Sequence, residues 1–497
     1  MIDNLLTKHR ELIKNLVFSF LFLSSLFMLK NNLQYNISKP HVDEIHTLNY
    51  GISSMYSGEV TNLRVGESTR WLARAIYPAA LYYMNSKMGG VPGITSWRYP
   101  SGFYINKNYK SPKSIIGDPN LQDFTFAMKF ILGALVLLSF LLASYKISKS
   151  FGFLSGILYF VFSSSTSLII GMLSIFYTES SFIIIINLII SLALTKKVNV
   201  LRLYIWSSLL LALAISTKIT GLIFAIPIII LILKRDSFIE KIKIEVFIIS
   251  TILFIALINI YAISYMEVLD QSLSNVYHFK TGHKMTRSSS VYQFSKILES
   301  LSPWIFIFPV ALSFLIYKKS RELNFLLSIS MSSIIMIIGM IGVSYFLERN
   351  LTTPLIMMIL IISVFFNLII KFIKFKPKVI FIVSIIFTIF LHLFSVSSNL
   401  LEIDSALIKK SIKDSEKIAV IDVENYLLNG FFKLESAPET FNYFNDLQNL
   451  RNQFTEYDCV VIKRVKNNKH YTNYILPLDF SLASRFGDYF VFKKKSL

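Results

Sequence analysis

A single cysteine, Cys459, in a chain of 497 residues leaves no partner for an intramolecular disulfide, and it excludes a Cys/His metal cluster. Charge is also scarce. Charged residues make up 16% of the chain, against about 25% in an ordinary soluble domain, which argues against water as the main solvent. Acids are fewer than bases, 30 against 50, giving a formal charge of +20. In a soluble protein that surplus would point to nucleic acid. Here much of it sits in short loops between apolar runs, which is the pattern of an orientation signal, so no nucleic-acid partner is expected. Internal repeats and low-complexity linkers are lacking as well.

What is present is apolar. With 54% hydrophobic residues and a mean hydropathy of +0.56, the chain reads as a polytopic membrane protein. The N-terminal charges Lys8, Arg10 and Lys14 precede an apolar run from Leu16 to Leu29 and mimic a secretory signal. No small-residue cleavage site follows, so a retained first helix is expected. Runs of about 17–25 apolar residues are needed to cross a core about 30 Å thick. Candidates are Ile13–Leu29, Phe126–Tyr145, Phe151–Leu173, Ser180–Leu194, Leu203–Ser216, Ile219–Leu233, Ile244–Ile263, Leu301–Tyr317, Leu323–Phe346, Leu351–Ile370 and Val379–Val396. The expected fold is therefore a mainly α bundle of roughly eleven spans.

Basic residues set its orientation. Lys146 and Lys149, Lys196, Lys197 and Arg202, Lys234, Arg235, Lys241 and Lys243, Lys318, Lys319 and Arg321, and Lys371, Lys374, Lys376 and Lys378 follow alternate spans. They share one side with the N-terminus if the spans alternate, and the positive-inside rule makes that side cytoplasmic. The N-terminus is then inside and the C-terminus outside. The transmembrane domain is expected at 1–397, with a large first extracytoplasmic loop at 31–125 and a second at 264–300. A soluble α/β domain is expected at 398–497, with apolar β-rich stretches at Ile418–Val423, Cys459–Ile462 and Tyr489–Phe492 separated by helical segments.

The residues that can carry chemistry fall on the outer side. Asp43 and Glu44 stand soon after the first span; such a pair can deprotonate a hydroxyl or hold a divalent cation such as Mg or Mn, or be a solvated acidic turn. Glu179 sits where a helix enters hydrocarbon, a costly place for a carboxylate unless it faces a polar cavity. Lys218, in Thr217-Lys218-Ile219-Thr220-Gly221, and Arg349, beside Glu348 and before Pro354, are isolated cations on the side where cations are disfavoured. They suit a phosphate at the membrane surface, or each neutralises a nearby carboxylate. His278 and His283 share the second loop and could ligate a metal, move a proton or bind a sugar or phosphate. The first loop is rich in Trp and Tyr, which populate interfaces and also stack on sugars.

Taken in order, the Asp43-Glu44 pair, Arg70, Arg74 and Tyr77-Pro78, the acid after the third span, the Thr-Lys-x-Thr-Gly turn and Glu348-Arg349 resemble the GT-C superfamily of membrane glycosyltransferases. The nearest branch comprises protein O-mannosyltransferases and the aminoarabinose transferase of lipid A. The resemblance implies transfer of a sugar from a polyprenyl-phosphate donor to a lipid, glycan or protein acceptor, at the outer face of the plasma or inner membrane. It implies Asp43 as general base with Glu44 beside it, Lys218 and Arg349 toward the donor phosphate, and a second acid at Glu179. His278 and His283 match paired loop histidines of some relatives. A transporter or flippase of a lipid-linked sugar, or a scaffold subunit of an envelope-polysaccharide complex, is the competing expectation.

Overall fold

A computed structural model of the chain describes residues 10–36, 67–87, 119–173, 178–195, 200–235, 241–259, 290–318, 323–341, 348–372, 418–422, 439–442, 456–463, 480–486 and 489–494. Its helices are α1 Arg10–Asn36, α2 Glu67–Lys87, α3 Pro119–Phe151, α4 Phe153–Ser165, α5 Ser167–Leu173, α6 Thr178–Ala193 and α7 Val200–Thr217. A 3-10 turn, Ile219–Phe224, leads into α8 Ala225–Arg235, followed by α9 Lys241–Ile258, α10 Ser290–Leu301, α11 Trp304–Lys318 and α12 Leu323–Ile341. A second 3-10 turn, Glu348–Leu351, opens α13 Thr352–Phe372. The described parts of the expected apolar runs up to Leu351–Ile370 fall mainly on these helices; 260–263, 342–346 and Val379–Val396 lie outside the described residues.

Among the described residues, three stretches, Phe126–Phe151, Asn324–Ile341 and Arg349–Ile370, are long and apolar enough to cross a membrane. The pair formed by Gln293–Leu301 and Trp304–Tyr317, bent by 76°, makes a fourth if counted as one span. The apolar helices Phe153–Ser165, Thr178–Ala193, Leu201–Thr217, Thr220–Ile232 and Ile244–Ile258 are shorter, partly because two expected spans are interrupted. The run Phe151–Leu173 is two helices, not one. Five consecutive hydroxyl residues, Ser163 to Ser167, compete with the helical ladder there, and the Thr166 hydroxyl donates to the Phe162 carbonyl at 2.6 Å while its backbone turns extended. The run Ile219–Leu233 likewise begins as a 3-10 turn.

The chain divides into two compact units. The first comprises Met1–Leu29, His46–Pro78 and Lys129–Ser395; the second comprises Lys30–Ile45, Ala79–Met128 and Val396–Leu497. In the first, α13 is the central helix, packed against α4, α6, α11 and α12. From Leu355 to Ile362 no residue is more than 1% exposed, as expected for a helix apolar on all faces. On α1, Leu12, Leu16, Phe20, Leu23 and Phe27 form an exposed apolar stripe at spacings of three and four, opposite the buried Phe18, Leu21 and Leu29. A helix apolar on both its buried and its exposed face suits lipid. At one end of this unit Gly152, with φ 117°, lets α3 turn directly into α4, and the Asn367 side chain of α13 donates to the neighbouring Phe151 carbonyl. Only glycine enters that backbone region readily.

The second unit contains a five-stranded mixed sheet of β1 Ile418–Asp422, β2 Glu439–Asn442, β3 Cys459–Lys463, β4 Phe480–Phe486 and β5 Tyr489–Lys494, in the order β2-β1-β3-β5-β4. β1 runs parallel to β2 and β3, and β5 runs antiparallel to β3 and β4. The three expected strands are present. Two stretches expected within helical connections, 439–442 and 480–486, are strands instead. β2 has only four residues, and β4 is irregular near Leu482 and Ser484, which blurs the alternation that would reveal it.

Candidate functional site

The first turn of α6 presents Thr178 and Glu179, both buried. The Thr178 hydroxyl donates to Glu179 Oε2 at 2.8 Å. From the other side Lys218 Nζ approaches Oε1 at 3.3 Å, and the same ammonium donates to Asn350 Oδ1 at 2.7 Å. Arg349, half-buried on the adjoining turn, lies close enough for its charge to act on Glu179. Three segments far apart in sequence therefore meet at one ionic centre.

The local sequence explains why Lys218 stands where it does. α7 ends with the Thr217 hydroxyl donating to the Leu213 carbonyl at 2.8 Å, and Lys218 adopts an extended backbone that takes the chain out of the helix. The chain then folds straight back, with Gly221 N–H donating to the Lys218 carbonyl at 2.7 Å. A Cβ at Gly221 would lie 2.3 Å from the Ala214 carbonyl oxygen, so this turn excludes any larger residue. The Thr-Lys-x-Thr-Gly motif is thus a device for presenting one lysine beside the end of its own helix.

The ammonium has three N–H donors. Two are taken by Glu179 and Asn350, and the third has no partner among the described residues, while 34% of the side chain remains exposed. Glu179, at 3% exposure, has both oxygens engaged. Glu179 is therefore a buried counter-charge, and Lys218 is the group that faces outward.

Helix α2 closes over the same end of the unit. Ser68 Oγ donates to the Leu213 carbonyl at 2.8 Å, Thr69 and Ser181 hydroxyls lie 3.1 Å apart, and Trp71 Nε1 donates to the Ile258 carbonyl at 3.0 Å. These bonds place the start of α2 beside the start of α6 and the ends of α7 and α9. Arg70, Arg74 and Tyr77 recur on one buried face of α2, and the Arg74 guanidinium lies over the Trp71 ring at 4.9 Å.

The sequence matches no protein-family model and no curated protein. Among solved structures, the chain is similar to ArnT from Cupriavidus metallidurans. For the apo state the TM-score is 0.47 at 10% identity, and for the form bound to undecaprenyl phosphate it is 0.46 at 11% identity. Each alignment covers 95% of this chain and 97% of the other.

Of the residues singled out from the sequence, Glu179, Lys218 and Arg349 come together, and Arg70, Arg74 and Tyr77 sit on the helix that adjoins them. Glu348 opens the 3-10 turn that carries Arg349. Asp43, Glu44, His278 and His283 lie outside the described residues. Among the described residues, no three His, Cys, Asp or Glu side chains gather as a metal site. Sequence reasoning passed over Asn350 and Thr178, whose polar side chains complete the Lys218–Glu179 pair, although both stand within the motifs it quoted. It also passed over Lys129, only 2% exposed on α3; a lone charge inside an apolar run is itself the signal.

Proposed function

We propose that this chain is a multi-pass membrane glycosyltransferase. In this reading it moves a glycosyl group from a polyprenyl-phosphate-linked donor to a lipid, glycan or protein acceptor at the extracytoplasmic face of the cell membrane. The observation that carries the proposal is the fixed Lys218 ammonium, tied by Glu179 and Asn350 with one N–H still directed elsewhere, and Arg349 adjoining it. A cation held in advance at a poorly hydrated surface stabilises charge that develops during reaction without reorganising. A leaving phosphate develops such charge.

In the proposed step the acceptor hydroxyl oxygen attacks the anomeric carbon as the bond from that carbon to the phosphate oxygen breaks. The electron pair of that bond passes to the phosphate, beside Lys218 and Arg349, and the hydroxyl proton passes to Asp43, with Glu44 as its neighbour. Arg70, Arg74 and Tyr77 line the approach in this reading, and His278 and His283 contribute from the second loop. A divalent cation on Asp43 and Glu44 is an added element of the proposal, tested by chelation and restoration with Mg or Mn. The span arrangement that goes with it has about eleven crossings, the N-terminus inside and the tail at 398–497 outside.

The test is reconstitution of the full chain in vesicles with a radiolabelled polyprenyl-phosphate sugar and an envelope extract, paired with mass spectrometry of envelope glycans and lipids in cells with and without the protein. Label appearing in an acceptor, and the loss of one sugar from the envelope, support transfer. A break inside a span, as at Thr166, also occurs in transporters, so the same vesicles are assayed for movement of the donor. Movement without a glycosylated product would replace the enzyme by a flippase.

A further inference from the structure

Helix α10 has three distinct faces, and only one of them is explained by packing within the protein. Gln293, Ile297 and Leu301, at successive positions four apart, are at most 1% exposed; the helix packs against the 3-10 turn Glu348–Leu351 and against α12. On a second face Lys296 pairs with Glu299. On the third, Val291 is 78% exposed and Phe294 48%, with Leu298 partly buried between them in the helical register. An exposed apolar flank beside a charged flank is the division found in helices that lie in a membrane surface, one side in the acyl boundary and the other in water.

The direction of α10 fits that partner. It is bent by 76° from α11, the apolar helix that follows it. Spans are tilted on average by about 20° from the bilayer normal, so a helix at such an angle to one lies near the membrane plane. The exposed apolar surface also continues past the bend, because Phe306 and Val310 on α11 are 64% and 60% exposed. A water-facing α10 would leave Val291 and Phe294 solvated at the very point where lipid-facing side chains begin.

We infer that α10 is an interfacial helix whose Val291, Phe294 and Leu298 flank is embedded in the lipids of one leaflet. Its buried face, beside that flank, rests on the turn that carries Arg349 and Asn350. The leaflet surface thereby sets the depth of that turn, and with it the height at which Asn350 holds Lys218. This does not depend on the chemistry proposed above; it would hold equally for a transporter or a scaffold.

The experiment places a nitroxide label at Val291→Cys, Phe294→Cys and Glu299→Cys, one at a time, in the full chain in phosphatidylethanolamine–phosphatidylglycerol vesicles. Unsubstituted protein, whose Cys459 is buried, serves as the labelling background. Collision with oxygen, which partitions into lipid, and with a water-soluble nickel chelate is then measured. Labels at 291 and 294 should collide several-fold more with oxygen than with nickel, and the label at 299 should show the reverse. Nickel-dominated labels at 291 and 294 would put that face in water. Low collision with both reagents would mean that another segment or a second copy covers it. Either result overturns the inference, and because the two apolar positions are independent and exposed, one labelled variant suffices if the other does not fold.

Discussion

Lys218 and Asn350 are 132 positions apart in sequence, yet the lysine ammonium donates to the asparagine side-chain oxygen at 2.7 Å. That bond joins the return turn after α7 to the 3-10 turn before α13, and it aims a cation that a flexible four-carbon stem would otherwise let wander. A hydrogen bond to a charged group contributes about 1.5–3 kcal/mol. If Lys218 carries the donor phosphate, Lys218→Met should lower kcat/KM for the polyprenyl-phosphate sugar about 10- to 100-fold. Asn350→Leu removes only the aim and should cost about 3- to 10-fold. Donor saturation curves for the two variants check this, and unchanged curves for both would remove the phosphate role.

Glu179 is expected to act through Lys218 and not on substrate, because both of its oxygens are engaged and it is almost wholly enclosed. Removing one partner of a buried pair costs about 3–5 kcal/mol. Lys218 is a third exposed, and solvent screening brings the expected loss for Glu179→Gln to about 1–3 kcal/mol. The melting temperature in detergent should fall accordingly, and KM for the donor should rise while kcat stays near that of the unsubstituted protein. A stable variant with a collapsed kcat and an unchanged KM would make Glu179 a direct participant.

Much of this arrangement was legible from charge placement. Lys218 and Arg349 stood out as cations where the alternation of basic loops left few, and Glu179 as an acid at the mouth of an apolar run. Long-range pairing was not legible. Nothing in the order of residues says that Lys218 selects Asn350 rather than Glu348 as a neighbour, since that choice depends on how α7 and α13 pack. The helices were readable because hydrocarbon demands long apolar runs. The break at Thr166 was hidden by the same apolarity, since hydroxyl residues are tolerated within spans when their side chains bond back to the ladder. β2 was missed because four residues show too little alternation to distinguish a strand from a connection, and β4 because its register shifts near Leu482 and Ser484.

Gly221→Ala should disable the lysine turn without touching any charged group. The added methyl would sit 2.3 Å from the Ala214 oxygen, and that oxygen belongs to helix backbone, which yields little. Forced shifts of this kind cost about 1–3 kcal/mol. Gly171→Ala supplies the control, because a Cβ there meets nothing within 4 Å; it should be neutral or stabilising by up to about 1 kcal/mol. Thermal melts of the two variants side by side should separate them, and only Gly221→Ala should also raise the donor KM.

A second polar group, deeper in the bundle, is expected to matter for stability alone. Tyr159 Oη donates to Asn187 Oδ1 at 2.6 Å, and Asn187 Nδ2 donates to Ser139 Oγ at 2.9 Å, linking α4, α6 and α3. Hydrogen bonds between helices in lipid contribute about 0.6–2 kcal/mol. Asn187→Leu should therefore lower the melting temperature and leave kcat and KM unchanged. A loss of turnover in that variant at full stability would mean that the network reaches the site.

Asp43→Asn separates proton removal from phosphate binding, the two tasks that the proposed reaction divides between the first loop and the Lys218 centre. Amide for carboxylate keeps the size and removes the base, and a positioned base typically contributes about 10²- to 10⁴-fold. kcat should fall within that range while the donor KM stays within about twofold, whereas Lys218→Met, which removes a contact to the donor phosphate, should raise the donor KM as well. Because one variant fails in turnover and the other in donor use, the pair of measurements tests the division of labour and not merely the importance of either residue. Equal losses in both parameters for both variants would mean that the two side chains serve a single structural purpose, and the assignment of Asp43 as base would be lost with it.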